Sequence, residues 1–304
     1  MELGQSKKIF LLTKKSENVT ARTLETYDTV LKKFLDYLFS KNILDISEVD
    51  VICIREFFVM LQDNGLRGIT QHRYFRVLRT LFLFLYQNDY INNNPMKNVK
   101  PPKVEKKPMR TFTAQEITKL LNAFDKNTFT GFRNYCMFCL FFSTGIRKGE
   151  LINLAMADIN ITNDVIRIEN GKGKKTRMIP IGRTMKRVLT QYLRMREEFL
   201  QGESCKWLYV TPRATRKVTY SCIASIFKTV KKELNLTGEK ISAHTWRHTM
   251  AKNYLLNGGD LFSLQAILGH ADIATTKNYL NLNEREIKNQ HALYDPLTNK
   301  DWLY

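Results

Sequence analysis

Long apolar runs are what this sequence most plainly lacks. The opening residues, MELGQSKKIF, hold no apolar core of signal-peptide length. The longest apolar run, Tyr135–Phe142, falls far short of the ~20 residues a membrane-spanning helix needs. Cysteine is scarce as well. Five residues, an odd number with no framework spacing, exclude a disulfide-stapled scaffold and fit a reducing compartment. Cys136 and Cys139 form a C-x-x-C inside an apolar run of helical type, so they are expected as buried, inert thiols rather than a redox or metal pair. There is no Walker-type nucleotide loop, no acidic cluster that could hold two catalytic metals, no internal repeat and no low-complexity tract. The expectation is a cytoplasmic protein with no membrane association, no metal and no cofactor.

Acidic residues are also in short supply. Lys and Arg number 48 against 29 Asp and Glu, a formal charge of +19. Residues 1–100 hold 15 basic against 11 acidic residues, and residues 101–304 hold 33 against 18, so the excess sits mainly in the second part. A polyanion partner follows, and nucleic acid is the commonest one. Charge alone does not choose between DNA, RNA and an anionic membrane surface.

Within the first part, apolar residues recur at helical spacing. Leu24, Tyr27, Leu31, Phe34, Leu35 and Leu38 predict a helix over 20–40, with Arg22, Lys32 and Lys33 off its apolar face. A second helix is predicted over 50–62, ending at the Asn64-Gly65 turn signal. A third, over 69–86, turns Tyr74, Val77, Leu78, Leu81, Phe82 and Leu85 inward and carries Arg73, Arg76 and Arg79 as a basic stripe suited to phosphates. Residues 1–95 thus form a small helical domain. Asn94-Pro95 stops it. Residues 96–110, MKNVKPPKVEKKPMR, are a basic, proline-containing linker.

The second domain, 111–304, opens with a capping-box pattern at Thr113 and Glu116, and a helix is predicted over 133–143. Gly145 then allows a tight turn. Arg147 stands near the start of the next helix, where backbone N–H groups favour an anion, and Glu150 can orient a basic neighbour. Strands are predicted over 164–169 and 176–181, joined by Asn170-Gly-Lys-Gly-Lys-Lys175, a basic hairpin finger. Helices follow over 184–200 and 220–234, with a short apolar segment at 207–210. Arg133, Arg183, Arg213, Arg216, Lys217 and Lys228 are candidate phosphate contacts. The stretch 244–279 holds three of the five histidines, His244, His248 and His270, together with Arg247 and Tyr279, among breaks at Gly258-Gly259 and Gly269. Such a set suits a phosphate: Arg forks two oxygens, His moves a proton, Tyr attacks. His244 and His248 stand at i, i+4 as zinc ligands can, but Thr245 occupies the place of the glutamate and no carboxylates accompany them, so His248 is expected to be structural.

TGIRKGEL (144–151), NGKGKKTR (170–177), HTWRH (244–248), LGH (268–270) and Tyr279, in this order, resemble the tyrosine recombinase, or phage integrase, family, and within it the two-domain Xer-like and mobile-element integrases. The resemblance covers nearly the whole chain. It implies a mainly α fold with a small β-hairpin or sheet in the C-terminal domain: a two-domain clamp of a helical DNA-binding domain and a mixed α/β catalytic domain. It implies catalytic roles for Arg147, Lys172, His244, Arg247, His270 and Tyr279, with Glu150 orienting them. Lys174 and Lys175 share the loop of Lys172, and only the family match to Gly-Lys-Gly favours Lys172. It further implies site-specific strand exchange on double-stranded DNA through a 3′-phosphotyrosyl intermediate, without metal or ATP. Self-association into a tetramer on DNA is expected, with room for accessory DNA-bending proteins. A type IB topoisomerase shares the same chemistry, and a non-catalytic DNA-binding protein is the alternative of another class. The apolar, aromatic tail after Glu284 is expected to join protomers.

Overall fold

The computed structural model describes residues 1–104, 110–169, 176–212, 216–233, 235–236, 241–269, 272, 276, 286 and 288. The chain divides into two compact units, Met1–Lys107 and Pro108–Tyr304.

Among the described residues, four α-helices build the first unit: α1 (Leu3–Ser16), α2 (Ala21–Ser40), α3 (Val51–Asp63) and α4 (Gly68–Gln87). Side-chain caps fix two of the starts. Thr20 accepts from the Thr23 amide, and Asp50 from the Cys53 amide. The core is aromatic: Phe34 meets Phe57 and Phe82 edge-to-face at 4.9 and 6.0 Å. On α4 the residues from Tyr74 to Leu85 that were expected inward are buried, and Arg73, Arg76 and Arg79 are exposed. Helix α1 was not anticipated. Its buried face consists of Leu3, Ser6 and Phe10, and the serine breaks the apolar period. Ser6 is tolerated inside because its hydroxyl donates to the Leu3 carbonyl at 2.7 Å.

The second unit contains α5 (Ala114–Asn122), α6 (Phe129–Thr144), α7 (Lys148–Ile152), β1 (Ile159–Asn160), β2 (Val165–Ile168), β3 (Arg177–Pro180), α8 (Arg183–Leu200), α9 (Tyr220–Glu233), α10 (Ala243–Leu256) and α11 (Leu261–Leu268). The capping box at Thr113 and Glu116 forms in both directions. Among the described residues, the three strands make one antiparallel sheet in chain order, with Ile166 opposite Ile179. Alternation is clean: Ile166, Ile168 and Ile179 are buried, while Arg167 and Met178 face out. The two-residue β1 is too short to leave a periodic signal.

Cys136 is fully buried and Cys139 half-buried, both are unpaired thiols, and burial pushes both pKa values up, as expected of inert cysteines. Arg133 departs from expectation. It is 2% exposed and donates to the Val210 carbonyl at 2.8 Å, so it braces the core and does not reach solvent. Arg196 is also buried and donates to the carbonyls of Cys205, Trp207 and Leu208. Neither contributes to a phosphate-binding surface. Arg183, Arg216 and Lys228 are exposed, and Lys217 donates to Asn153 Oδ1. Among the described residues, no helix is long and apolar enough to cross a membrane.

Candidate active site

Helix α10 carries the first part of the site. Ser242 caps it by accepting from the Thr245 amide. Trp246, fully buried, roots it against Phe112, Phe138 and Phe142, with ring centroids at 4.9, 5.7 and 5.8 Å. Taking a ring of this size out of a packed core costs about 3–5 kcal/mol, so the register of α10 is firmly set. That register leaves His244 exposed and buries Arg247 and His248. The His248 ring packs 4.2 Å from that of His244, edge-to-face, which suits the structural part expected of it.

Arg147 reaches the same cleft from the residue before α7. The cleft, about 370 Å³, is lined by Arg147, Lys148, His244 and Arg247 among others. Gly145 makes the approach feasible. Its φ of +61° is left-handed, and a Cβ there would lie 2.7 Å from Leu268 Cδ2 and 3.6 Å from Arg247 Cγ.

Three arginines converge on the end of α11. Its last carbonyls have no partners within the helix and carry the negative end of its dipole. Arg177 Nε donates to the Ile267 carbonyl at 2.9 Å, Arg247 Nη2 to Leu268 at 2.6 Å and Arg147 Nη2 to Gly269 at 3.3 Å. Arg247 Nη1 donates to the Gly145 carbonyl at 2.6 Å. The two arginines singled out from the sequence thus meet at the corner that immediately precedes His270 in the chain, and the bond from Arg247 to Gly145 spans 102 positions.

Glu150 lies between two of these arginines. Oε1 accepts from Arg147 Nη1 at 2.9 Å and Arg177 Nη1 at 3.0 Å. Oε2 accepts from the Arg147 amide at 2.9 Å and Arg177 Nη2 at 2.8 Å. Burial alone would raise its pKa, but the bonds from Arg177 and Arg147 outweigh it and hold the carboxyl at about 2, below the ordinary 4.5. With a depressed folded pKa, the stabilisation is complete above the unfolded value and is lost as pH falls through the folded one. Glu150→Gln should therefore flatten the acid limb of the stability curve between pH about 4.5 and about 2, read by urea unfolding at stepped pH. An unchanged limb would mean that other carboxylates dominate.

Arg177 was not singled out from the sequence. The signal was the strand period: Arg177 shares its face with the buried Ile179 and Ile181, and an arginine on a buried face demands an acceptor. Lys172 and the rest of loop 170–175, His270, Tyr279, Arg213 and the tail after Glu284 apart from Glu286 and Lys288 lie outside the described residues. Glu286 pairs with Lys252 of α10 at 2.7 Å.

The model of the "Phage integrase family" matches residues 110–286, and that of the "Phage integrase SAM-like domain" matches residues 10–101. The chain is 30% identical over 289 residues to the tyrosine recombinase XerD of Listeria innocua, covering 94% of this chain and 96% of that one. It is 29% identical to XerD of Staphylococcus epidermidis over 281 residues, covering 92% and 94%. Among solved structures, the Tn1549 transposon integrase in complex with transposon right end DNA has a TM-score of 0.77 at 18% identity, covering 97% of this chain and all of that one. The XerH recombinase bound to its palindromic difH substrate has 0.76 at 23%, covering 95% and 85%. These two likenesses concern the fold.

Proposed function

The chain belongs to the phage integrase family and is a tyrosine-type site-specific recombinase, an enzyme that breaks and rejoins DNA strands, and on that premise we propose that Tyr279 is its nucleophile and Arg147, Lys172, His244, Arg247 and His270 complete its active site. The observation that carries this reading is the meeting of Arg147 and Arg247 on successive carbonyls of the Leu268-Gly269 corner. Two guanidiniums held there suit the non-bridging oxygens of one phosphodiester, where charge grows in the transition state.

The Tyr279 oxygen attacks phosphorus, a 3′-phosphotyrosyl bond forms and the bond to the 5′ oxygen breaks. His244 and His270 assist removal of the phenolic proton, which a group of pKa ~10 holds at neutral pH. Lys172 returns a proton to the leaving 5′ oxygen. The covalent bond stores the energy of the broken one, so rejoining needs no ATP. Double-stranded DNA is the substrate, and the exposed stripe Arg73, Arg76 and Arg79 on the N-terminal unit supplies phosphate contacts. Strand exchange takes a tetramer, two pairs of protomers acting in turn, with the tail after Glu284 joining them. The cytoplasm is the compartment this reading expects.

The test is to react the protein with host and element DNA, denature, and sequence the strands that remain attached. Attachment through a 3′ phosphate at one recurrent position is expected. Attachment at scattered positions, together with relaxation of a plasmid carrying no such position, would favour a topoisomerase, and no attachment from any DNA would overturn the reading.

A further inference from the structure

Arg177 has no part in the mechanism just given, yet it joins three of the segments that the mechanism uses. Through Nη1 and Nη2 it grips both oxygens of Glu150 at 3.0 and 2.8 Å, and through Nε it holds the Ile267 carbonyl at 2.9 Å. It stands at the first residue of β3, two positions after the loop that contains Lys172. Its side chain also runs tightly past Gly269: a Cβ on that glycine would lie 2.8 Å from Arg177 Cδ and 3.0 Å from Nε and Nη1. His270 is the next residue. The side chains of Arg177 and Glu150 are each 9% exposed, so this fork is held away from water, whereas the Arg147 side chain is 39% exposed.

We infer that Arg177 is a positioning residue for strand cleavage: by gripping Glu150 it aims the Arg147 guanidinium at the scissile phosphate, and through Nε it ties the start of β3 to the end of α11.

The geometry explains why an arginine is needed. Glu150 must accept from the Arg147 amide and from its side chain together, and this requires one fixed carboxylate plane. A planar guanidinium binding both oxygens fixes that plane, whereas an ammonium is a point charge that does not. The third donor, Nε, points to a different segment, so one planar group sets the distance between α7 and α11. A misplacement of about 1 Å in such a scaffold can cost about 10²-fold in rate.

This inference rests on the proposed covalent mechanism, and the experiment separates the two. The full-length protein is presented with a duplex nicked so that the cleaved product diffuses away, and the single-turnover rate of covalent attachment is measured at saturating protein, with DNA affinity measured separately. Attachment by the unchanged protein is the precondition; its absence would sink the mechanism itself. Arg177→Gln is expected to slow attachment about 10²-fold with little change in DNA affinity. Arg177→Lys, which keeps the charge, is expected to remain slow. Glu150→Gln and the double variant Glu150→Gln/Arg177→Gln are then compared. If Arg177 acts through Glu150, the double variant is no slower than the slower single one. Rates near that of the unchanged protein for Arg177→Lys, or losses that multiply in the double variant, would reduce Arg177 to a packing residue and overturn the inference. A general loss of folding by Arg177→Gln leaves Arg177→Lys and the cycle built on it to decide the matter in the same terms.

Discussion

Tyr279→Phe is expected to bind DNA as the unchanged protein does and to form no covalent adduct. The substitution removes one oxygen and keeps the ring, so any packing made by the ring survives. Affinity for DNA comes largely from Lys and Arg against phosphates, and none of those groups is altered. On the proposed mechanism the chemistry loses its nucleophile outright, and no other hydroxyl is expected to substitute, because attack needs an oxygen in line with the leaving 5′ oxygen. The measurement is a denaturing gel of protein with labelled duplex, beside a native binding assay at matched salt. An adduct formed by the phenylalanine variant would remove Tyr279 from the role. A parallel loss of binding would mean that the hydroxyl holds the domain together.

The helices were legible because their apolar faces recur at 3.6 residues and their starts carry side-chain caps, as at Thr113 with Glu116. The strands were legible because isoleucine falls at every second position, at Ile166 and Ile168 and again at Ile179 and Ile181, on either side of the glycine-containing turn signal at 170–175. Helix α1 escaped because its inner face spends a position on Ser6, satisfied locally by the Leu3 carbonyl. For the site, motif order named Arg147, His244 and Arg247, and the structure brings all three to one cleft. What the sequence could not supply was the difference between an arginine that meets water and one that meets a carbonyl. Arg133 and Arg196 look like part of the basic surface in a charge count, yet both are buried braces of the segment around Leu208 and Val210. Arg177 is the same lesson at the site itself: its partner, Glu150, is 27 positions away. Net charge therefore overstates the surface available to DNA.

That distinction sets the second large effect, at Arg247. The residue is 3% exposed, and its guanidinium donates at 2.6 Å to the carbonyls of both Gly145 and Leu268. The one side chain therefore fixes the glycine turn ahead of Arg147 and the corner ahead of His270, besides the phosphate contact proposed for it. Arg247→Ala should lower the rate of covalent attachment by at least about 10²–10³-fold, the usual cost of one preorganised donor to a developing charge. It should also destabilise the second unit, since two buried carbonyls lose their partner at about 1–3 kcal/mol each. Arg247→Lys isolates the fork from the charge. A lysine can satisfy one carbonyl but cannot span both in a plane. It should therefore recover part of the thermal stability that alanine loses while attachment stays slow. Single-turnover attachment at saturating protein and thermal melting of the same preparations give the two numbers. If lysine restores attachment to near the unchanged rate, a positive charge at this corner is sufficient, and the planar clamp formed with Arg147 is not what stabilises the transition state.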